Sequence, residues 1–152
     1  MQLEIRKISV DDLPEIEANL LPINKEEIMA MRGQTATELF NANSEMMDNT
    51  EILVIDGEIV CIGGSMDTPQ GRIVWLFGTD KIEKNKRWFA KVISDRFEEM
   101  KKKHDLLFSY VYEKNELTKS WLKSMGFTIF DGEPAGKNGE IFHYFEWRKL
   151  CV

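Results

Sequence analysis

The chain has 152 residues, 43% hydrophobic and 30% charged, with a net charge of −6. That length suits one domain with one core, and the acidic balance speaks against nucleic acid or an anionic membrane as partner. No apolar run reaches the roughly 18 residues of a membrane-spanning helix, so none is expected.

The first ten residues, MQLEIRKISV, lack the apolar core of a signal peptide. Cys61 and Cys151 are the only two cysteines, and both are expected to be reduced thiols in a cytosol. Together with His104 and His143 they show no ligand spacing, so no metal site is expected.

Residues 2–8 alternate, with Leu3, Ile5 and Ile8 against Glu4, Arg6 and Lys7. This predicts a strand with one buried face. Ser9 is placed to cap a helix with Asp11 and Asp12 in its first turn and an apolar stripe of Leu13, Ile16 and Leu20. Pro22 is expected to stop that helix. Residues 24–47 read as helical in two pieces broken near Gly33, the second starting at Thr35 or Thr37.

EILVI (51–55) and EIVCIGGSM (58–66) read as strands joined by the tight turn Asp56-Gly57. RIVWLFG (72–78) is apolar on both faces and is expected at the centre of the sheet. Residues 84–103 form a long amphipathic helix that ends in Lys101, Lys102 and Lys103. LLFSYVY (106–112) is a further strand. Asn115 starts a short helix that Gly126 ends, and FTIF (127–130) and EIFHYFEWR (140–148) are strands separated by a Gly-rich loop. The order βααβββαβαββ predicts a single α/β domain over residues 1–152, with a mixed central sheet flanked by helices on both faces.

That order resembles the GNAT acetyltransferase fold. The most specific local match is KNELTKSWLKSMGF (114–127), where Asn115, Thr118, Leu122, Gly126 and Phe127 stand at the family's Asn, Ala, Tyr and Gly-Phe spacings. The resemblance implies acetyl-CoA as cofactor, yet two of its working parts are missing. Leu122 occupies the position of the Tyr that protonates the departing thiolate, and leucine transfers no proton. GTDKIEKNKRWF (78–89) has no glycine after Gly78, where the family's Gly-rich loop lets backbone N–H groups cradle the pyrophosphate. Nor does RIVWLFG carry a carboxylate to act as a base; Asp80 lies just beyond it. If CoA binds, Lys84, Lys86, Arg87 and Asn115 are the candidate contacts. If the chain is an enzyme, Tyr112 is the candidate substitute acid.

IVCIGGSM, WLFGTD, the basic long helix, Tyr110-Val111-Tyr112 and NELTKSWLKSMG look like a family of tailed-bacteriophage proteins with a GNAT-like fold, described as internal virion or head-morphogenesis proteins. The likeness runs from about residue 51 to 131. It implies a role in virion assembly or in the particle, with phage or host proteins as partners and the host cytoplasm or the virion as location. The alternatives are an acyl-CoA-dependent N-acyltransferase with a divergent pyrophosphate loop, and an anti-host factor that binds a host protein.

Each of these residues also has an ordinary reading. Asn is a preferred helix cap, a lysine run at a helix C-terminus complements the dipole, and strand tyrosines are commonly core. Cys61 lies between Val60 and Ile62 with no cation or base beside it in sequence, as a buried structural thiol would. Phe142, Tyr144, Phe145 and Trp147 alternate and are expected to fill a core or a protein interface.

Overall fold

The computed structural model describes residues 1–150; Cys151 lies outside the described residues. Strand β1 (Leu3–Lys7) leads into a 3-10 turn at Val10–Asp12 and then helix α1 (Leu13–Asn19). Ser9 caps the turn as expected: its Oγ accepts the Asp11 N–H, and the Asp12 carboxylate accepts the Ser9 N–H at 2.8 Å. Arg6 grips the same carboxylate through two nitrogens at 2.8 and 2.9 Å, which ties β1 to the turn and holds the Asp12 carboxyl below its ordinary range.

Pro22 does not stop α1. Leu20 ends that helix in an extended conformation, and Pro22 opens the next one, α2 (Pro22–Arg32), at its first position, where a missing N–H costs nothing. Gly33, at φ 67°, ends α2. A capping box between Thr35 and Glu38 starts α3 (Ala36–Ala42), and Asn43 caps a further turn, α4 (Ser44–Asp48). The segment expected in two helical pieces is therefore in three, because Asn43 offers the Met46 N–H its side chain.

The remaining elements are β2 (Thr50–Ile55), β3 (Glu58–Asp67), β4 (Arg72–Gly78), α5 (Lys86–Lys103), β5 (Leu106–Tyr112), α6 (Glu116–Ser124), β6 (Thr128–Pro134) and β7 (Ile141–Arg148). The strands form one seven-stranded sheet in the order β1-β2-β3-β4-β5-β7-β6, which puts β4 at its centre as its two apolar faces predict. Asp56 and Gly57 both take positive φ, the geometry a two-residue hairpin turn requires. β6 runs past Phe130 into the loop expected there. A bulge leaves Phe130 and Asp131 facing Tyr144, after which pairing resumes at Gly132↔His143.

Helices α1 to α4 cover one face of the sheet and α5 and α6 the other. On the first face Ile16, Phe40, Ile52 and Phe77 share a core; on the second, Phe97, Leu107, Leu122 and Phe145 do. Cys61 is a buried free thiol, and burial pushes it up to about 12, which leaves it inert. Of the three residues expected to form a buried face at β1, Ile8 is buried in the first core, while Leu3 and Ile5 are 37% and 36% exposed and join no core cluster. No helix among the described residues is long and apolar enough to cross a membrane.

Gly64 is required by close packing. A Cβ there would run into the Asn49 carbonyl and the Trp75 ring, and that ring donates from Nε1 to the buried Thr50 Oγ1 at 2.9 Å. Gly64→Ala is expected to cost about 1–3 kcal/mol in equilibrium unfolding; an unchanged midpoint would show that β3 can shift away from Asn49 at no cost.

Candidate functional site

β4 and β5 run parallel but pair only at Arg72↔Leu107 and Ile73↔Phe108. Beyond those residues the sheet is split. At the ends of the two strands other groups satisfy the backbone that β4 and β5 would have offered each other. At the end of β4, the Leu21 N–H donates to the Gly78 carbonyl at 2.9 Å and the Asp80 N–H to the Asn19 carbonyl at 2.9 Å, so the α1–α2 junction stands where β5 would continue. The Gly78 N–H donates to Asn24 Oδ1 at 2.9 Å. At the end of β5, the Tyr112 N–H donates to Glu27 Oε2 at 2.8 Å. Asn24 and Glu27 are three residues apart on α2, one turn, so a single helix face clamps both strand ends.

Burial pushes the Glu27 carboxyl above its ordinary range, while the Tyr112 N–H and the Asn115 and Asn24 side chains pull it back. Asn115 is fully buried; its Oδ1 accepts the Thr118 N–H at 3.1 Å and caps α6. Its Nδ2 makes no formed hydrogen bond, so it acts on Glu27 by proximity.

Between the split strands lies a cavity of about 520 Å³, within the usual span of small-molecule sites. Met31, Trp75 and Tyr110 line it on the α2 face, and Trp121, Leu122 and Met125 on the α6 face, so it passes through the sheet. Glu27 is one of its few ionisable walls, with Arg32 and Glu133. Leu122 is in the wall with an aliphatic side chain. Tyr112 is not in the wall: its hydroxyl donates to Glu26 Oε1 at 3.3 Å and its ring packs on Phe142 at 5.2 Å. Tyr110 is the strand tyrosine that faces the gap.

The segment between β4 and α5 is filled by its own side chains. Ile82 is buried and sits over Gly78, where a Cβ would meet it. Thr79 is fully buried and its hydroxyl donates to the Ile59 carbonyl at 2.7 Å. A 3-10 turn at Glu83–Asn85 then leads into α5. Lys84 pairs with Glu58, which Lys81 also approaches at 3.4 Å, and Lys86 pairs with Glu83 at 2.8 Å. Arg87 is exposed and has no ion-pair partner among the described residues. Lys84, Lys86 and Arg87 thus gather at one end of α5, while Asn115 is interior. A glycine-lined pyrophosphate cradle does not fit this segment.

At the other end of α5 the lysine run is engaged. Lys101 donates to the Met125 carbonyl at 2.6 Å and stands 5.5 Å from the Trp147 ring centroid, and Lys102 pairs with Glu99. No group of His, Cys, Asp and Glu among the described residues could hold a metal ion.

Asn24 and Glu27 were not legible as site residues. They share an apolar stripe with Ile28 and Met31, and that polar interruption was the available signal.

Among solved structures the fold is shared with Ard1 from Thermoplasma volcanium (14% identity, 99% of this chain and 100% of that one, TM-score 0.68). It is shared also with a GNAT-family acetyltransferase from Bacillus anthracis (13%, 97% and 95%, TM-score 0.68) and the ribosomal-protein-S18-alanine N-acetyltransferase from Escherichia coli (12%, 99% and 97%, TM-score 0.64). At such identities the likeness establishes a GNAT-like fold and nothing finer. No curated protein matches the sequence. The profile of a phage protein family does match, over residues 49–133, from the end of α4 through the split strands and α6 into β6. Since that stretch is more than half of the chain, the chain belongs to the family described as "Bacteriophage T7, probable scaffold protein Gp13".

Proposed function

We propose that this protein acts through protein contacts, in virion assembly or as a virion-associated component, and does not carry out conventional acetyl transfer. The observation that carries this reading is Ile82 packed over Gly78, in a segment without further glycine where a pyrophosphate would need bare backbone. Leu122 in the wall of the gap and the family match support it. Its partners would be other phage or host proteins in the host cytoplasm, and the finished particle is a second place to look for it.

The open gap favours a second reading, an acyl-CoA-dependent N-acyltransferase with a divergent pyrophosphate loop. A cavity of about 520 Å³ with the raised carboxyl of Glu27 in its wall is a setting in which a proton acceptor can work. Thermal unfolding with added acetyl-CoA separates the two. Ligand at 100 times Kd would add about 2.7 kcal/mol to the native state. The expected result is no shift at millimolar acetyl-CoA. A clear shift that Lys86→Glu abolishes would replace the first reading with the second. The assembly reading further expects the protein in purified heads or head precursors from infected cells, and absence from both would remove it.

A further inference from the structure

The sheet has two free edges, and they are built differently. The β6 edge carries a two-residue bulge, Gly132, Pro134, and the acidic Asp131 and Glu133. These are the devices by which natural sheets refuse further strands. The β1 edge has no bulge and no proline. It pairs with β2 in unbroken register from Leu3↔Ile55 to Lys7↔Glu51, and all five of its residues are exposed.

The backbone of β1 has a defined polarity. The Gln2 carbonyl accepts the Asp56 N–H at 2.8 Å, and the Ile8 N–H donates to the Thr50 carbonyl at 3.1 Å. Even-numbered residues therefore turn their backbone toward β2, and Leu3, Ile5 and Lys7 turn theirs outward. On the side-chain level Leu3 and Ile5 form an apolar face that this chain covers only in part, and Glu4 and Arg6 lie on the opposite face.

We propose that the β1 edge binds a second copy of this chain, antiparallel and centred on Ile5. In that register Ile5 meets Ile5 of the second copy, a pair whose outward N–H and C=O groups can bond reciprocally, and Leu3 meets its Lys7, whose carbonyl already accepts Arg6 Nη1 at 3.2 Å and has a second lone pair to offer. Glu4 meets Arg6 of the second copy, twice by symmetry. Centring the pair on Glu4 or on Arg6 would set like charges opposite each other, so charge selects the Ile5 register. Arg6 keeps Asp12 and exchanges the other partner of its Nε, Glu4 of its own chain at 3.1 Å, for Glu4 of the second copy. Ile5 covers its own counterpart, which accounts for an alternating strand whose apolar side is only partly covered within the chain. The proposal does not depend on the function proposed above.

Sedimentation of the full chain tests it. The wild type is expected to pass from 17.7 kDa to twice that mass as its concentration approaches about 100 µM, in keeping with a small interface. Ile5→Pro removes an outward N–H and leaves the β1–β2 ladder whole. It is expected to weaken self-association by roughly tenfold or more, about 1.4 kcal/mol. Glu4→Arg, on an exposed side chain, is expected to do the same by facing Arg6 with a like charge. Should Ile5→Pro fail to fold, Glu4→Arg alone decides. A wild type that stays at 17.7 kDa at millimolar concentration overturns the proposal, and so does a folded Glu4→Arg that associates as the wild type does.

Discussion

Glu27→Ala is expected to lower the unfolding free energy by about 1–3 kcal/mol, because it strips the acceptor from the buried Tyr112 N–H. Glu27→Gln keeps an acceptor oxygen on the same stem and is expected to retain most of the stability. The two variants separate the role of the oxygen from the role of the charge. The Glu27 carboxyl lies above its ordinary range chiefly through burial. The folded state therefore holds that proton more tightly than the unfolded one. The matching stability is fully present below the ordinary glutamate range and is lost as pH rises through the folded value. Measured by denaturant unfolding from about pH 4 to about pH 8, wild type should lose stability relative to Glu27→Gln as pH rises. Asp12 works in the opposite sense. Its carboxyl is held low by Arg6, so its stability is present above the ordinary aspartate range and fades on acidification. Both proteins share Asp12, so it cancels in the difference. Parallel curves for wild type and Glu27→Gln would show that the Glu27 charge has no energetic part in the clamp.

Phe142→Ala is expected to cost about 3–5 kcal/mol. Phe142 is 1% exposed, packs on Tyr112 with ring centroids 5.2 Å apart, and shares a small core with Ala30 of α2. It joins β7 to the helix that clamps the split and borders the cavity, so its loss opens a void where three elements meet. Phe130→Ala makes the control. That ring lies on neighbouring β6, 5.6 Å from Tyr144, but is 46% exposed, and the change should stay near half a kcal/mol. Equal losses in the two variants would contradict the assignment of Phe142 to the interior and Phe130 to the surface.

Both predictions concern how a sheet stays split. Two strands that part leave a row of backbone donors and acceptors, and these must be met by water, ligand or protein. Here the α1–α2 junction and two polar side chains of α2 meet them at the strand ends. The chain's own groups therefore fix both ends of the gap.

The order of the strands and of the two later helices, the Asp56-Gly57 hairpin, the central place of β4, the cap at Asn115 and the missing loop glycines were determined by sequence alone, whereas the two helices expected before β2 are four. Each depends on local periodicity or on a residue type with one dominant conformational use. Pro22 read as a stop and acts as a start, because proline breaks the helix before it and suits the first turn of the next, and only the extended Leu20 decides between them. β1 read as a strand with a buried face, and the alternation was right, but whether anything covers that face depends on where helices from distant sequence come to lie. Asn24 and Glu27 are legible in the sequence only as a polar interruption of the apolar stripe of α2. Their meaning came from Gly78 and Tyr112, which lie more than fifty and eighty residues away in sequence, and contacts over such separations are made by packing, which no local pattern records.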